Sequence, residues 1–359
     1  MPLVAHSPLP TFARLREEGN EVLELERALS QDIRELHIGL LNMMPDAALQ
    51  ATERQFIRLV GSSNRIAQFY VHPFAVDSHA RGADAQAYIA RYYESFETLV
   101  NDGLDALIIT GANPVQEDLT NEAFWEPLVE VLAWARESVC SVICSCLATH
   151  ADFKATYGVE RERLPEKRWG VYSHRVLERD HPLVSDINTR FDAPHSHVYD
   201  LSPEQFREAE AIVLAESEEA GVHLAASPDG LRLIYFQGHP EYDATSLLKE
   251  YKREVGRAAA GTRDYPPFPA AYFDAETSAL LDAYRSELMA AAARGAELPE
   301  FPEAEVVARV DNTWADTGKA IFNNWLGLIY QLTHVDRRRP FQEGVDPSNP
   351  LRRAVGARA

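Results

Sequence analysis

Ser141-Val-Ile-Cys-Ser-Cys146-Leu-Ala-Thr-His-Ala151 is the stretch whose reading decides the fold. An apolar run carrying a thiol stops, and a helix-forming run of small and mixed residues begins at once. This junction predicts a strand-to-helix turn that holds Cys146 at the top of a sheet. Backbone N–H groups in the first turn of the new helix favour a thiolate and can receive a developing oxyanion. Further along, Phe236-Gln-Gly-His239-Pro-Glu241 repeats the pattern with a base. An apolar strand ends in Gly and then presents His239 and Glu241. Thiol, imidazole and carboxylate on separate strand ends make acyl transfer through a cysteine the leading chemistry.

Outward from this junction, strands and helices alternate. Leu36-His-Ile-Gly-Leu-Leu-Asn-Met43 reads as a buried strand, and Met44-Pro45-Asp46 as a turn into a helix with Leu49, Phe56, Ile57 and Val60 at helical spacing. Strands over 66–71 and 104–110 and helices over 84–99 and 122–137 follow. The second of those strands runs into Gly111-Ala-Asn-Pro114, which is loop chemistry. The fold expected is α/β, a doubly wound and mostly parallel sheet. In such sheets ligands sit beyond the carboxyl ends of the strands, where Gly111, Cys146 and His239 fall.

After Gly158 the pattern turns antiparallel. Strands are expected over 169–177, 210–216, 222–226 and 231–237, the last two flanking a hairpin at Ser227-Pro-Asp-Gly230. This antiparallel extension delivers His239. Helices are expected over 245–257, 276–294 and 316–333. The organisation read from the chain is a helix-prone arm over 1–34, one α/β domain over 35–335 and a mobile tail over 336–359.

Composition narrows the function. A chain of 359 residues, 46% hydrophobic and 25% charged, is long enough to bury a large core. No apolar run approaches the ~18 residues of a membrane span, and the first residues do not read as an export signal. The only three cysteines, Cys140, Cys144 and Cys146, lie too close together to staple a fold, which fits a reducing cytoplasm. A formal charge of -20 argues against nucleic acid as a partner.

Each candidate has a plainer reading. Cysteines on strands are usually buried packing; Cys140 and Cys144 are assigned to it, while the context of Cys146 argues for a nucleophile. Cys144-Ser-Cys146 with His150 also permits a metal or redox pair, although the spacing is tight for tetrahedral zinc and lacks the two-residue spacer of redox motifs. Glu241 can fix the tautomer of His239 and stabilise its imidazolium, or can serve as an acid at a helix N-terminus. On spacing alone Arg253 belongs to a solvated helix face, Lys167 and Arg168 read likewise as solvated charges, and Ser196 lies in a polar loop, Ala193-Pro-His-Ser-His197.

Beyond these local readings, the chain resembles the cysteine-dependent homoserine O-acyltransferases, the homoserine O-succinyltransferase kind. That family has the class I glutamine amidotransferase-like, flavodoxin-like fold. The likeness rests on Leu41-Asn-Met-Met-Pro45 with Thr52-Glu53 and Gln55-Phe56, Ile109-Thr-Gly-Ala112, Cys146 with Tyr157-Gly158, and Trp169-Gly-Val-Tyr172. It continues through Ala193-Pro-His-Ser196, Gly238-His-Pro-Glu-Tyr-Asp243 with Arg253, and Phe322-Asn-Asn-Trp325. The resemblance implies Cys146 as the acylated nucleophile, His239 as the proton acceptor and Glu241 as the third catalytic residue. It assigns substrate contacts to Lys167, Ser196 and Arg253, which overturns the plain readings of those three. Leu147, Gly111 and Ala112 are the implied oxyanion hole, with Pro114 and Val115 in the region that governs acyl-CoA choice. No metal or cofactor is implied, succinyl-CoA is the co-substrate, and a homodimer is the family-level expectation.

Three positions depart from the family pattern. Asp46 and Ala47 stand where many members carry lysines, Leu147 stands where a Trp often follows the nucleophile, and the Gly111–Gln116 loop differs, with Val115 where better-studied members carry Gly or Glu. The expected reaction is succinyl transfer to L-homoserine by a ping-pong route, within methionine biosynthesis. Acetyl-CoA as donor, L-serine as acceptor, a glutamine amidotransferase-type hydrolase and a non-catalytic redox or metal module remain the alternatives.

Overall fold

Among the described residues eleven strands form one sheet: β1 (Leu3–Ala5), β2 (Val22–Glu24), β3 (Glu35–Leu41), β4 (Gln68–Phe74), β5 (Ala106–Ile109), β6 (Ser141–Ser145), β7 (Glu162–Val176), β8 (Arg190–Asp200), β9 (Ile212–Ser217), β10 (Gly221–Ala226) and β11 (Leu233–Phe236). The structure is a computed structural model and describes residues 3–63, 67–76 and 81–352. The strand order is β2-β1-β4-β3-β5-β6-β11-β10-β9-β7-β8. Pairings from β2 through to β11 are parallel, and those from β11 through to β8 are antiparallel. The doubly wound, mostly parallel sheet with an antiparallel extension is therefore the observed architecture.

The central strands are apolar throughout because both of their faces are covered. Alternate residues point to opposite cores, as a pleat of period two requires. Ile38, Ile108, Ile143 and Ile234 face one core, covered by the helices Asp46–Gly61 and Ala315–Leu332. Leu41, Leu107, Val142 and Tyr235 face the other, covered by Trp125–Ser138 and Leu147–Tyr157. A third core gathers Trp169, Leu247, Tyr251 and Trp314 around the helices Ser246–Ala259 and Ala275–Arg294.

Four expectations are corrected. The stretch 1–34 is no arm, since β1 and β2 extend the sheet beside β4 and Phe12 and Leu15 are buried; three-residue strands are too short to show a period. The helix expected over 84–99 is two helices, Ala83–Tyr92 and Phe96–Asp102. Tyr93 breaks out in extended conformation, and the Ser95 side chain caps the second helix by accepting the Thr98 N–H.

The polar loop assigned to 193–197 lies inside β8, where Ala193, His195 and His197 are buried. The tail is not free between 336 and 352, because Phe341 and Val345 are buried and the Arg337 backbone lies against Gly103. Residues 353–359, and Ile66 of the expected second strand, lie outside the described residues. No described helix is long and apolar enough to cross a membrane.

Candidate active site

β6 ends at Ser145, and Cys146 takes φ 50 and ψ -107 before the helix Leu147–Tyr157 begins. A positive φ is strained for a residue with a Cβ, and here it turns the side chain out of the sheet at the top of the strand. The turn is tied down on all sides. The Cys146 N–H donates to the Phe236 carbonyl at 2.6 Å, and the Thr149 N–H donates to the Cys146 carbonyl at 3.0 Å. Thr149 Oγ1 bonds the Cys144 carbonyl at 2.8 Å. Leu147 is the first helical residue, so its N–H has no intrahelical acceptor. A Cβ placed on Gly111 would come 3.6 Å from the Cys146 Cβ, so the loop after β5 closes directly on the nucleophile.

The neighbouring strand β11 supplies the base. Beyond Phe236, Gln237 locks the turn through its Oε1, which accepts the Leu201 N–H at 2.8 Å, and its Nε2, which donates to the Leu201 and Val222 carbonyls at 3.1 Å each. The His239 N–H then donates to the Pro194 carbonyl at 2.8 Å. His239 Nδ1 bonds Glu241 Oε1 at 2.8 Å, and the ring stacks on Tyr242 with centroids 4.4 Å apart. Burial opposes a charge on His239, but the Glu241 carboxylate and the hydrogen-bonding interaction with Cys146 outweigh it and push the imidazole up to about 10. At neutral pH these neighbours favour the imidazolium. Behind it, Arg58 donates to the Glu241 carbonyl at 3.2 Å, and Arg54 and Arg58 both pair with Asp243.

Lys167, Ser196 and Arg253 reach the same cavity, of about 520 Å³, along with Cys146, His239, Gly111, Ala112, Pro114 and Leu147. Glu250 organises two of them. It accepts from Lys167 at 3.0 Å, Ser196 at 2.6 Å and Tyr242 at 2.8 Å. Burial works to raise its pKa, but Lys167 and the hydroxyl donors prevail and hold the carboxyl below the usual range. Arg253 is half exposed and pairs with Glu254 at 3.2 Å. Glu241 sits behind His239 without lining the cavity, and Val115 points away from it, 85% exposed.

Glu250, Tyr242 and Arg161 were not singled out from the sequence. The first lies in the run Lys249-Glu-Tyr-Lys-Arg-Glu254, whose charge pattern matches a solvated face; only the buried flank Leu247, Tyr251 and Val255 betrays that Glu250 turns inward.

The other buried imidazoles are uncharged, and of these His150 and His197 also line the cavity. His174, His195 and His197 form a chain of contacts at 3.1 and 3.0 Å ending on the Tyr199 carbonyl, and burial holds all three neutral at ordinary pH. Among the described residues, the groupings with metal-ligand spacing are His174–His195–His223 and His6–His72–Glu94, and neither includes Cys144 or Cys146. Cys144 packs in the core with its thiol pushed up by burial.

The family model of the homoserine O-succinyltransferases matches residues 2–335. This chain belongs to that family. It is 61% identical to homoserine O-succinyltransferase of Allochromatium vinosum over 98% of this chain and 99% of the relative. To the homoserine O-succinyltransferase of Methylococcus capsulatus it is 62% identical, again over 98% and 99%. Among solved structures it is similar to a glutamine amido transferase from Methylobacillus flagellatus, 15% identical, with a TM-score of 0.47 over 82% of this chain and 95% of that one. Within the homoserine O-succinyltransferase family, the chain thus presents a strained cysteine and an imidazole at one cavity, with a buried carboxylate behind the imidazole.

Proposed function

We propose that this chain transfers a succinyl group from succinyl-CoA to the hydroxyl of L-homoserine through an acyl-cysteine on Cys146. The observation that carries the reading is Cys146 on its strained turn, facing an imidazole that Glu241 keeps protonated, in one cavity with Lys167, Ser196 and Arg253. Family membership supports the same substrates.

The steps follow from the charges. Cys146 thiolate attacks the thioester carbonyl, and the oxyanion is met by the Leu147 N–H and the Gly111–Ala112 turn. When the intermediate collapses, the imidazolium of His239 gives its proton to the departing CoA thiolate. Acylation removes the negative sulfur that helped hold that proton, so the base is now neutral and ready. It takes the proton of the homoserine hydroxyl as the oxygen attacks the acyl carbonyl. Expulsion of Cys146 thiolate restores the ion pair, and the cycle closes without a cofactor. Arg253 suits the carboxylate of the amino acid, because its planar fork can bind both oxygens. Lys167 and Ser196, ordered by Glu250, hold the remaining polar groups. A cytoplasmic homodimer accompanies this reading.

Intact-protein mass spectrometry tests it. Mixing with succinyl-CoA alone should give a succinyl adduct mapping to Cys146, which homoserine then removes; Cys146→Ala should give none. An acetyl adduct from acetyl-CoA would change the donor, and ammonia release from glutamine without any adduct would replace the reading with an amidotransferase.

A further inference from the structure

Four cations line the cavity: Arg161, Lys167, Lys249 and Arg253. Lys167 is neutralised by Glu250 and Arg253 by Glu254, while Lys249 is exposed. Arg161 differs. Gly158, in the left-handed conformation at φ 67, ends the helix that Cys146 begins and turns the chain so that Arg161 lies over the Tyr199 ring, 3.8 Å from its centroid. Arg161 Nη2 donates to the Gln116 and Glu117 carbonyls at 2.8 and 3.0 Å, and its Nε is buried without an acceptor. Among the described residues no carboxylate pairs with it at ion-pair distance; Glu117 and Glu122 act on it only from afar, and so does Cys146. A partly desolvated guanidinium that lines the cavity and is held by two neutral carbonyls and a ring, with no described carboxylate paired to it, is well placed to receive an anion.

The acyl group of the proposed donor carries such an anion three bonds beyond its carbonyl. We infer that Arg161 binds the distal carboxylate of the acyl donor and selects a dicarboxylic acyl group over an uncharged one. This inference rests on the reading of Cys146 as the acylated residue. The clamp on Gln116 and Glu117 makes the same side chain a strut for the loop whose Gly111 packs on Cys146, so the donor's charge is read against a wall that touches the nucleophile.

The test compares the rate of Cys146 acylation by succinyl-CoA and by butyryl-CoA in the full-length enzyme and in Arg161→Ala, Arg161→Gln and Arg161→Lys. Arg161→Ala should lose roughly 10- to 100-fold in kcat/KM for succinyl-CoA, the range of one charge-assisted hydrogen bond, carried mainly by KM. Its loss for butyryl-CoA, which reports only the missing loop contacts, should be at least about fivefold smaller, and Arg161→Lys should recover part of the succinyl preference. Arg161→Gln keeps a donor for the loop carbonyls, so its loss of preference separates charge recognition from loop collapse.

A second readout needs no turnover: free succinate should slow alkylation of Cys146 by iodoacetamide in the wild type and not in Arg161→Gln, with butyrate inert in both. Equal losses for both donors would overturn the inference and leave Arg161 a loop strut. A wild-type enzyme that takes no acyl group from succinyl-CoA would overturn the underlying reading instead.

Discussion

His239 Nδ1 lies 2.8 Å from Glu241 Oε1, while Glu241 Oε2 is buried with no hydrogen-bond partner. The carboxylate is thus aimed at one target, and its charge is not shared with another donor. Glu241→Gln should keep the shape and remove the charge, so the imidazole should titrate well below its present value of about 10. The sign follows from linkage. His239 is raised above its unfolded value, so its stabilisation is complete below about pH 6.5 and is lost as pH rises through 10. Urea denaturation should show the gap between wild type and Glu241→Gln widest near pH 6 and shrinking towards pH 10. Turnover should fall by about 10²- to 10⁴-fold, and nitrogen-detected titration of the imidazole would check the shift directly.

The backbone of Cys146 stores strain, since φ 50 is costly for any side chain. Cys146→Gly should therefore unfold at a higher temperature than Cys146→Ala, by the equivalent of about 1 kcal/mol, although both lack the nucleophile. Calorimetry of the two inactive variants isolates the backbone term from the chemistry.

Gly238 is confined by its neighbours. A Cβ there would come 2.6 Å from His223 Nδ1, 2.7 Å from His195 Nε2 and 2.9 Å from the Pro194 carbonyl. That same carbonyl accepts the His239 N–H. Gly238→Ala should cost about 2–3 kcal/mol through overpacking, and activity should fall further than stability predicts because the base is displaced with Pro194. Adding His223→Ala, which clears one of the three contacts, should restore part of the stability in thermal melts.

Asp243 receives both Arg54 and Arg58, and the two guanidinium groups hold its carboxyl below the usual range against the pull of burial. Its stabilisation is therefore present above the ordinary carboxylate pKa and is lost as pH falls through its lowered folded value. Asp243→Asn should destabilise the protein by roughly 2–4 kcal/mol at pH 7, with a smaller penalty in acid, measured by urea midpoints at both pH values.

The middle of the sheet was legible in the chain because strands covered on two faces must be apolar, and Leu104–Thr110, Ser141–Ser145 and Leu231–Gln237 could be little else. Cys146, His239 and Glu241 stood out because each follows such a strand abruptly. The edges were hidden for the opposite reason. β1 and β2 are three residues each, and β8 carries His195 and His197, polar side chains that are buried once β8 pairs with β7 and His174 and His223 pack on His195. Glu250 and Arg161 were equally silent. Each looks like surface charge in sequence, and only the cavity between distant segments gives it a task.

The Cys146 N–H bonds the Phe236 carbonyl, and β6 and β11 run parallel in register from Val142 opposite Leu233 to Ser145 opposite Phe236. Every residue between those strands must be threaded before they can meet, and parallel pairings of this kind form late because a long loop closes first. The thiol is consequently an internal timekeeper of folding. A chain with native helices but an undocked β11 has its nucleophile, yet no imidazolium beside it and no turn to strain it. Acylation of Cys146 by succinyl-CoA would appear in refolding only when that seam closes, later than the helical signal.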